Sequence, residues 1–201
     1  MEGNVQDSSG KGNNGTASGD PLYVQGLTGY GKALSFDGVN DSVDLPIGSL
    51  LSTLSSSTVA AWVYFTNTGN AWQRVFDFGT GTTAYMFLTS NNGSRIVRFA
   101  IRSTAVGEQI VNAPAALTTG WHHVAIVIDS VTMRLQLYQD GTLAASGATT
   151  VLPKDMGVTN QNWLGRSQWT ADPFFGGSVD EFRIYNRALS ESEVRYLAGD
   201  R

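Results

Sequence analysis

The stretch FFGGSVDEFRIYNRALSESEVRYL, residues 174–197, decides the fold because a strand pattern in it leads directly into a short helix. Ser190 followed by Glu193 is a capping box, in which each side chain accepts a hydrogen bond from the backbone amide of the other residue. Leu189 and Val194 have the spacing of a hydrophobic staple. Since almost every earlier segment has the character of a short strand, the helix predicts the end of an all-β domain.

Short runs of alternating apolar and polar residues extend from this stretch back toward the N-terminus. Such alternation, bounded by turn residues, is typical of half-buried strands. Residues 58–65 and 121–129 are dense in apolar and β-branched residues, which predicts central strands. Residues 74–102 contain three strand patterns separated by glycine-containing turns, which predicts a meander.

Two connections carry turn chemistry. Asp140-Gly141 is a strong signal for a two-residue hairpin turn, and residues 37–41 predict a hairpin loop. Strands at intervals of roughly 8–12 residues, with one terminal helix, predict two packed antiparallel sheets.

The composition limits the possible functions. The chain has 201 residues, a net charge of -4 and no clustered basic residues, which argues against a nucleic-acid partner. It has no cysteine, so disulfides, thiol nucleophiles and thiolate metal sites are excluded. No apolar run approaches the length of a membrane span, and the first residues lack the pattern of a signal peptide. We expect residues 1–201 to form one domain, as a mature or excised part of an extracellular protein.

Several motifs together resemble one family. They are GKALSFDG at 31–38, WHHVA at 121–125, LYQDG at 137–141 and GSVDEFRIYNRALS at 177–190, with the opening segment 7–16 completing the set. In order and spacing they resemble the laminin G-like group of concanavalin A-like lectin/glucanase jelly rolls. The resemblance implies a two-sheet antiparallel jelly-roll sandwich, and it says less about the ligand than about the fold.

A calcium site is implied by the same resemblance. The loop at 7–16 offers short oxygen-bearing side chains and glycines, which suit a hard cation. The family pairs an N-terminal Asp loop with the Asp of the VDEFRIY strand, so the implied structural calcium ligands are Asp7, Gly12, Asn13, Asn14 and Asp180. The alternative is a solvated turn built from Asp and Asn side chains, with Asp180 as an acid at the edge of a strand.

Catalytic groups are not apparent in the sequence. The glucanase pattern Glu-x-Asp-x-x-Glu is absent, and the adjacent acids Asp180 and Glu181 are expected on opposite faces of a strand. His122 and His123 are also adjacent, so they are expected on opposite faces of a strand and cannot bind one metal ion together. We expect them to be structural residues of the sheet. The sequence therefore predicts no enzymatic activity.

Sugar binding needs aromatic faces for stacking and planar polar groups for hydroxyls. Trp62 and Trp121 are expected in the core. The remaining aromatic, arginine and glutamine residues in or next to loops form the predicted carbohydrate-binding set: Trp72, Arg74, Tyr85, Arg98, Arg102, Trp163, Gln168 and Trp169.

These features favour a non-catalytic carbohydrate-binding module that recognises a polysaccharide or oligosaccharide. We expect it to come from a secreted glycoside hydrolase, next to a catalytic domain. A protein-binding or adhesion domain and a structural spacer are the alternatives.

Overall fold

The computed structural model describes residues 2–66 and 70–199, which form two antiparallel sheets of seven strands each. Sheet A contains, in spatial order, β1 (Thr16–Ser18), β4 (Ser42–Asp44), β13 (Gln161–Leu164), β6 (Arg74–Gly79), β7 (Tyr85–Thr89), β8 (Arg98–Arg102) and β9 (Gln109–Asn112). Sheet B contains β12 (Thr142–Ala148), β11 (Arg134–Gln139), β10 (Gly120–Asp129), β5 (Ser57–Phe65), β14 (Gly176–Tyr185), β3 (Lys32–Asp37) and β2 (Leu22–Gln25). The helices are α1 (Gly48–Leu51), a 3₁₀ turn (Pro153–Met156) and α2 (Glu191–Leu197).

The core lies between the two sheets. Phe76 and Phe78 of β6 point inward from sheet A, and Val124 and Ile126 of β10 belong to the same buried cluster from sheet B. Alternate residues of each strand therefore face the core, as period-2 geometry requires. The predicted fold class, a two-sheet antiparallel jelly-roll sandwich with a short C-terminal helix, is confirmed.

Most strand predictions are confirmed. β5 is the middle strand of sheet B and pairs with β10 along its whole length. β6, β7 and β8 are consecutive antiparallel neighbours, which is the predicted meander. Asp140 and Gly141 join β11 to β12 with φ values of 48° and 76°, the left-handed conformation that a type I′ hairpin turn needs at both positions.

The predicted hairpin at residues 37–41 is wrong. β3 belongs to sheet B and β4 to sheet A, so this connection crosses from one sheet to the other. The buried Asp41 carboxylate holds the corner, because it accepts hydrogen bonds from the amides of Asp37 at 2.9 Å and Asp20 at 2.8 Å.

The C-terminal helix begins as predicted. Ser190 Oγ accepts a hydrogen bond from the Glu193 amide at 3.3 Å, and the Glu193 carboxylate accepts one from the Ser190 amide at 2.9 Å. Leu189 and Val194 are buried in one cluster with Ala60 of β5. The hydrophobic staple thus docks α2 on the outer face of sheet B.

A β-bulge interrupts the regular alternation expected in β14. The pairing with β5 shifts between Asp180 and Arg183, and Glu181 has a φ of 49°. The Glu181 carboxylate forms an ion pair with Arg183. Asp180 is fully buried and lies against Gly26, so the two adjacent acids contact different partners.

Candidate binding face

The outer surface of sheet A carries a group of aromatic side chains, Trp72, Tyr85, Phe87 and Trp169, which we call the aromatic face. Tyr85 and Phe87 alternate along β7 with Met86 and Leu88, which point into the core. The same strand pattern that fills the core therefore lines the outer surface with rings.

Trp169 comes from the loop after β13, which crosses over this surface. Its ring packs edge-to-face against Tyr85 at 4.8 Å and Phe87 at 5.9 Å between centroids. Trp72 lies in the connection before β6 with a φ of 70°, and its amide donates to the Asn91 carbonyl at 2.7 Å. Both tryptophans are only partly buried, so each presents some of its indole to solvent.

Arg74 lies beneath these rings. Its guanidinium carbon is 4.0 Å from the Phe87 centroid and 5.3 Å from that of Trp169. Its nitrogens donate to Asp77 at 3.3 Å, to Asp172 at 2.9 Å and to the Trp72 carbonyl at 2.6 Å. With Arg74 only 2% exposed, these bonds tie the Trp72 connection and the Trp169 loop to sheet A.

Asp77 is completely buried beside Arg74. Burial raises its pKa to about 7, although the Arg74 charge and a hydrogen bond from the Gln168 amide at 3.1 Å oppose the shift. Its second carboxylate oxygen, Oδ1, has no hydrogen-bond partner within the described residues. This pair is therefore costly to desolvate, and it serves to fix the position of the rings above it.

Arg98 and Arg102 lie on the same face of β8, on either side of the small residue Ala100. Arg98 Nε donates to Asn112 at 2.8 Å, and its guanidinium lies 5.5 Å from the Trp72 ring. Arg102 lies opposite Tyr85, whose hydroxyl donates to Glu108 at 2.7 Å. Both arginines are partly exposed at the border of the aromatic face.

Trp163 and Gln168 are largely covered. Trp163 is 9% exposed, and the guanidinium of the exposed Arg166 lies 4.4 Å above its ring. The Gln168 side chain is buried and donates to the Gln161 carbonyl at 2.7 Å.

The structure thus brings all eight residues of the predicted set onto one side of sheet A. Trp72, Arg98, Arg102 and Trp169 are accessible there, whereas Arg74, Tyr85, Trp163 and Gln168 form the layer beneath them. Their role in binding a carbohydrate stays a prediction.

Sequence reasoning missed three residues of this face. Phe87 follows Tyr85 by two positions, so strand parity was a sufficient signal for it. Asp77 of β6 lies opposite Phe87 in the strand register and therefore on the same outer face, but a carboxylate gave no reason to expect it beneath aromatic rings. Asp172 contacts Arg74 across 98 positions of sequence, and no local pattern identifies it.

The expectation that Trp62 and Trp121 are core residues is wrong. On β5, Val59, Ala61 and Val63 face the core, so Trp62 points to the outer face of sheet B. Trp62 packs against His123 at 5.5 Å and Trp121 against Tyr64 at 5.7 Å, and both tryptophans are partly exposed.

The predicted calcium ligands of the Asp7 loop already hydrogen-bond to one another. The Asp7 carboxylate accepts from the amides of Ser9 at 2.8 Å and Asn13 at 2.9 Å, and Asn14 Oδ1 accepts from the Asp7 amide at 3.0 Å. The Ser9 and Asn13 bonds lower the pKa of Asp7 to about 2. Gly12, with a φ of 79°, permits the curled backbone. These bonds order the loop, and the calcium ligands predicted in it stay a prediction.

Glu2, which the sequence did not identify, supplies a carboxylate beside the same turn as Asp180. The Gly26 amide donates to the Gly31 carbonyl at 2.9 Å and closes a turn. Asp180 Oδ2 lies against Gly26, and the Glu2 carboxylate lies against Gly31 and accepts from the Lys32 amide at 3.3 Å. Burial raises the pKa of Asp180. Carboxylate oxygens are ligands that calcium prefers, so two carboxylates beside one turn suit a calcium ion.

Within the described residues there is no group of three or more His, Cys, Asp or Glu side chains arranged to hold a metal ion. Calcium binding would therefore have to include amide or backbone oxygens as well as carboxylates.

The structure also has two hollows. One is lined by residues that include Phe65, Gln73, Asn91, Arg95 and Phe175. The other, between Ser55, Asp129 and Asn186, has no aromatic residue in its lining. The second hollow therefore offers a sugar ring no surface for stacking. In the part of the chain that the structure describes, no helix is long and apolar enough to cross a membrane.

Comparison with known proteins gives one family match. The family model described as the concanavalin A-like lectin/glucanases superfamily matches residues 37–195. No curated protein sequence matches the chain.

Among solved structures, domain 4 of AbnA, an extracellular GH43 arabinanase from Geobacillus stearothermophilus in complex with arabinotriose, is 26% identical with a TM-score of 0.80, over 97% of this chain and 93% of that one. The CBM40 of the Ruminococcus gnavus IT-sialidase, bound to α2,3-sialyllactose, is 20% identical with a TM-score of 0.67, over 90% and 97%. The receptor-binding domain of botulinum neurotoxin C/D mosaic serotype is 14% identical with a TM-score of 0.72, over 98% of this chain and 48% of that one. The last two similarities show the fold alone.

Proposed function

The chain belongs to the concanavalin A-like lectin/glucanase superfamily, and on this premise we propose that it is a non-catalytic carbohydrate-binding domain. The observation that carries the proposal is the aromatic face. Trp72 and Trp169 expose indole surface on sheet A, with the partly exposed Arg98 and Arg102 beside them. Aromatic surface next to planar donors is what a sugar ring requires for stacking and for hydrogen bonds to its hydroxyls.

The layer beneath supports this proposal because it makes the face rigid before any ligand arrives. Arg74 joins the Trp72 carbonyl, Asp77 and Asp172 in one hydrogen-bonded group. Trp72 and Trp169 are thereby fixed relative to β7, and the ligand does not have to order them. Preorganisation of this kind reduces the entropy cost of binding.

Similarity to the arabinanase domain, which was solved with arabinotriose, also supports an oligosaccharide or polysaccharide ligand. We propose that the domain works next to a catalytic domain in a secreted glycoside hydrolase. A weak binding site tethered to an enzyme raises the local concentration of that enzyme at its polymer, so high intrinsic affinity is unnecessary.

We also propose a structural calcium ion beside the turn closed by Gly26 and Gly31, where Asp180 and Glu2 place their carboxylates. The ion would connect the N-terminal segment to β14. Its contribution would be to stability, since both residues belong to the region of Gly26 and Gly31 and neither contacts the aromatic face.

One observation favours a second candidate, a protein-binding or adhesion domain. Trp62, Tyr64 and Trp121 form a partly exposed aromatic group on the outer face of sheet B. Exposed aromatic residues are enriched at protein interfaces.

A glycan array followed by affinity electrophoresis in polysaccharide gels separates the two candidates. The proposed function predicts retardation by at least one polysaccharide, lost in Trp169→Ala and kept in Trp121→Ala. Absence of binding to every glycan tested would refute it and would favour the protein-binding alternative.

A further inference from the structure

The arginines of this chain divide into two groups by the presence of a carboxylate partner. Within residues 2–66 and 70–199, four arginines form ion pairs with Asp or Glu: Arg74, Arg183, Arg187 and Arg195. The arginines of the same segments for which no ion pair forms are Arg95, Arg98, Arg102, Arg134 and Arg166. Acidic residues outnumber basic ones, 17 to 13, so a shortage of carboxylates does not explain the second group.

Location separates the two groups. Arg98 and Arg102 lie on β8 at the aromatic face, Arg166 lies over Trp163 on the same side of sheet A, and Arg95 precedes β8. Only Arg134 of this group lies on sheet B, where its Nε donates to Ser146 at 2.9 Å. In contrast, Arg183 of β14 and the two described arginines after it, Arg187 and Arg195, are each paired with an acid. Three of the five arginines without an acidic partner therefore lie on one side of sheet A in an acidic protein: Arg98, Arg102 and Arg166.

Neutral groups hold these arginines in place. Arg98 is fixed by Asn112 and by the Trp72 ring, and Arg166 by the Trp163 ring. The Arg102 guanidinium interacts with the Tyr85 hydroxyl, while its buried Nε has no hydrogen-bond partner among the described residues. Stacking on a ring orients a guanidinium without neutralising it and leaves its terminal nitrogens available for a bidentate contact.

The acids on this side of sheet A do not offset these charges. Asp77 and Asp172 are bonded to Arg74, which is itself buried. Glu108 accepts a hydrogen bond from Tyr85, and Asp44 of β4 lies opposite Trp163, four strands away from β8. On β8, the positive charges of Arg98 and Arg102 thus lie near one carboxylate, that of Glu108, through Tyr85.

Building on the proposed carbohydrate-binding function, we propose that the ligand is an acidic oligosaccharide. Its sugar rings would stack on Trp72 and Trp169, and its carboxylate or sulfate groups would pair with Arg98 and Arg102. Planar, forked guanidinium groups match the geometry of both anions. The two arginines are four positions apart on the strand, which is about 13 Å between their Cα atoms. That spacing suits an extended chain with repeated charges.

The test uses three probes with the intact protein: an oligogalacturonate, the same oligosaccharide with its carboxylates reduced to hydroxymethyl groups, and a sulfated oligosaccharide of equal length. Isothermal titration calorimetry at 50 and 500 mM NaCl gives the affinities. We expect at least tenfold tighter binding of one charged probe than of the reduced one, and a loss of that preference at high salt. The carboxylated and sulfated arms identify the anion.

The variants are Arg98→Gln with Arg102→Gln, and Arg134→Gln as the control on sheet B. The double variant should lose the preference for charge and keep its melting temperature within a few degrees, whereas the control should keep both. Equal, salt-insensitive binding of all three probes would overturn this inference and leave the proposed function standing. A charge preference unaffected by the double variant would also overturn it. Absence of binding to any probe here, together with a blank glycan array, would refute both.

Discussion

The guanidinium of Arg74 lies 4.0 Å from the ring centroid of Phe87, beneath two partly exposed tryptophans and out of contact with solvent. An arginine in this position cannot itself bind a ligand, because its donors already form hydrogen bonds to Asp77, Asp172 and the Trp72 carbonyl. It acts instead as a positioning residue. The sequence predicts that Arg74 binds the carbohydrate. In the structure, Arg74 instead stabilises the aromatic face, on which binding is proposed.

Arg74→Met tests this role. We expect a loss of about 3–5 kcal/mol in the free energy of unfolding, because the variant leaves the Asp77 carboxylate buried without its cation. Urea unfolding measures the loss. The double variant Arg74→Met with Asp77→Asn should recover much of the stability, since no buried charge remains, while glycan affinity stays reduced because Trp72 and Trp169 are no longer tied together. Full recovery of affinity in the double variant would show that the network does not position the rings.

Ser190→Ala tests the capping box of α2. The variant removes the acceptor for the Glu193 amide, and caps of this kind contribute about 1 kcal/mol. In a protein of this size the melting temperature should fall by about 2–4 °C. Ser146→Ala, a change in an exposed strand residue, is the control and should change it less. Equal effects of the two substitutions would show that the box contributes nothing specific.

His123 gives a pH dependence of stability with a definite sign. Burial lowers its pKa to about 4, from an ordinary value near 6.5, although the Asp140 charge acts in the opposite direction. The unfolded chain binds a proton below pH 6.5 that the folded protein rejects until about pH 4. The contribution is therefore present above pH 6.5 and is lost as the pH falls toward 4, by about 3 kcal/mol.

The measurement is the free energy of unfolding of the wild type minus that of His123→Gln, across pH 4 to 8. Subtraction removes the effects of other groups, including Asp77, whose raised pKa acts with the opposite sign over part of this range. A difference that stays constant with pH would contradict a buried, neutral His123.

Calcium should raise the melting temperature if the turn beside Asp180 and Glu2 binds it. At a concentration a hundred times the dissociation constant, the gain is about 2.7 kcal/mol, or roughly 5–10 °C for a domain of this size. Asp180→Asn should abolish the shift. Asp7→Asn is the discriminating variant: we expect the shift to survive, because the Asp7 carboxylate is already bonded within its own loop. Identical melting curves in calcium and in EDTA would contradict the proposal.

The sequence predicts the fold well because its signals are local and repeated. Period-2 alternation identifies strands, and a capping box and an Asp-Gly turn identify their ends. The error at residues 37–41 has a physical reason. Turn chemistry shows that the chain reverses, but it does not show which sheet receives the next strand. That choice depends on Asp41, whose buried carboxylate binds amides on both sides of the corner.

The site is only partly predictable for a similar reason. Residue type and strand parity place Arg98 and Arg102 on one face, and the structure puts Trp72 and Trp169 beside them. Exposure, however, is set by tertiary contacts. Arg74 is buried because a loop 98 positions away covers it with Asp172. Trp62 is partly exposed because its neighbours on β5 face the core, so Trp62 itself faces outward.

The most direct test of the central claim is a titration of a binding glycan from the array against the wild type, Trp169→Ala and Trp121→Ala. The two variants remove partly exposed indoles from opposite sheets. We predict that Trp169→Ala weakens binding about tenfold, since loss of an aromatic stacking surface costs on the order of 1.4 kcal/mol, while Trp121→Ala binds like the wild type. The reverse result, with affinity lost in Trp121→Ala and kept in Trp169→Ala, would place the binding site on sheet B and contradict this account.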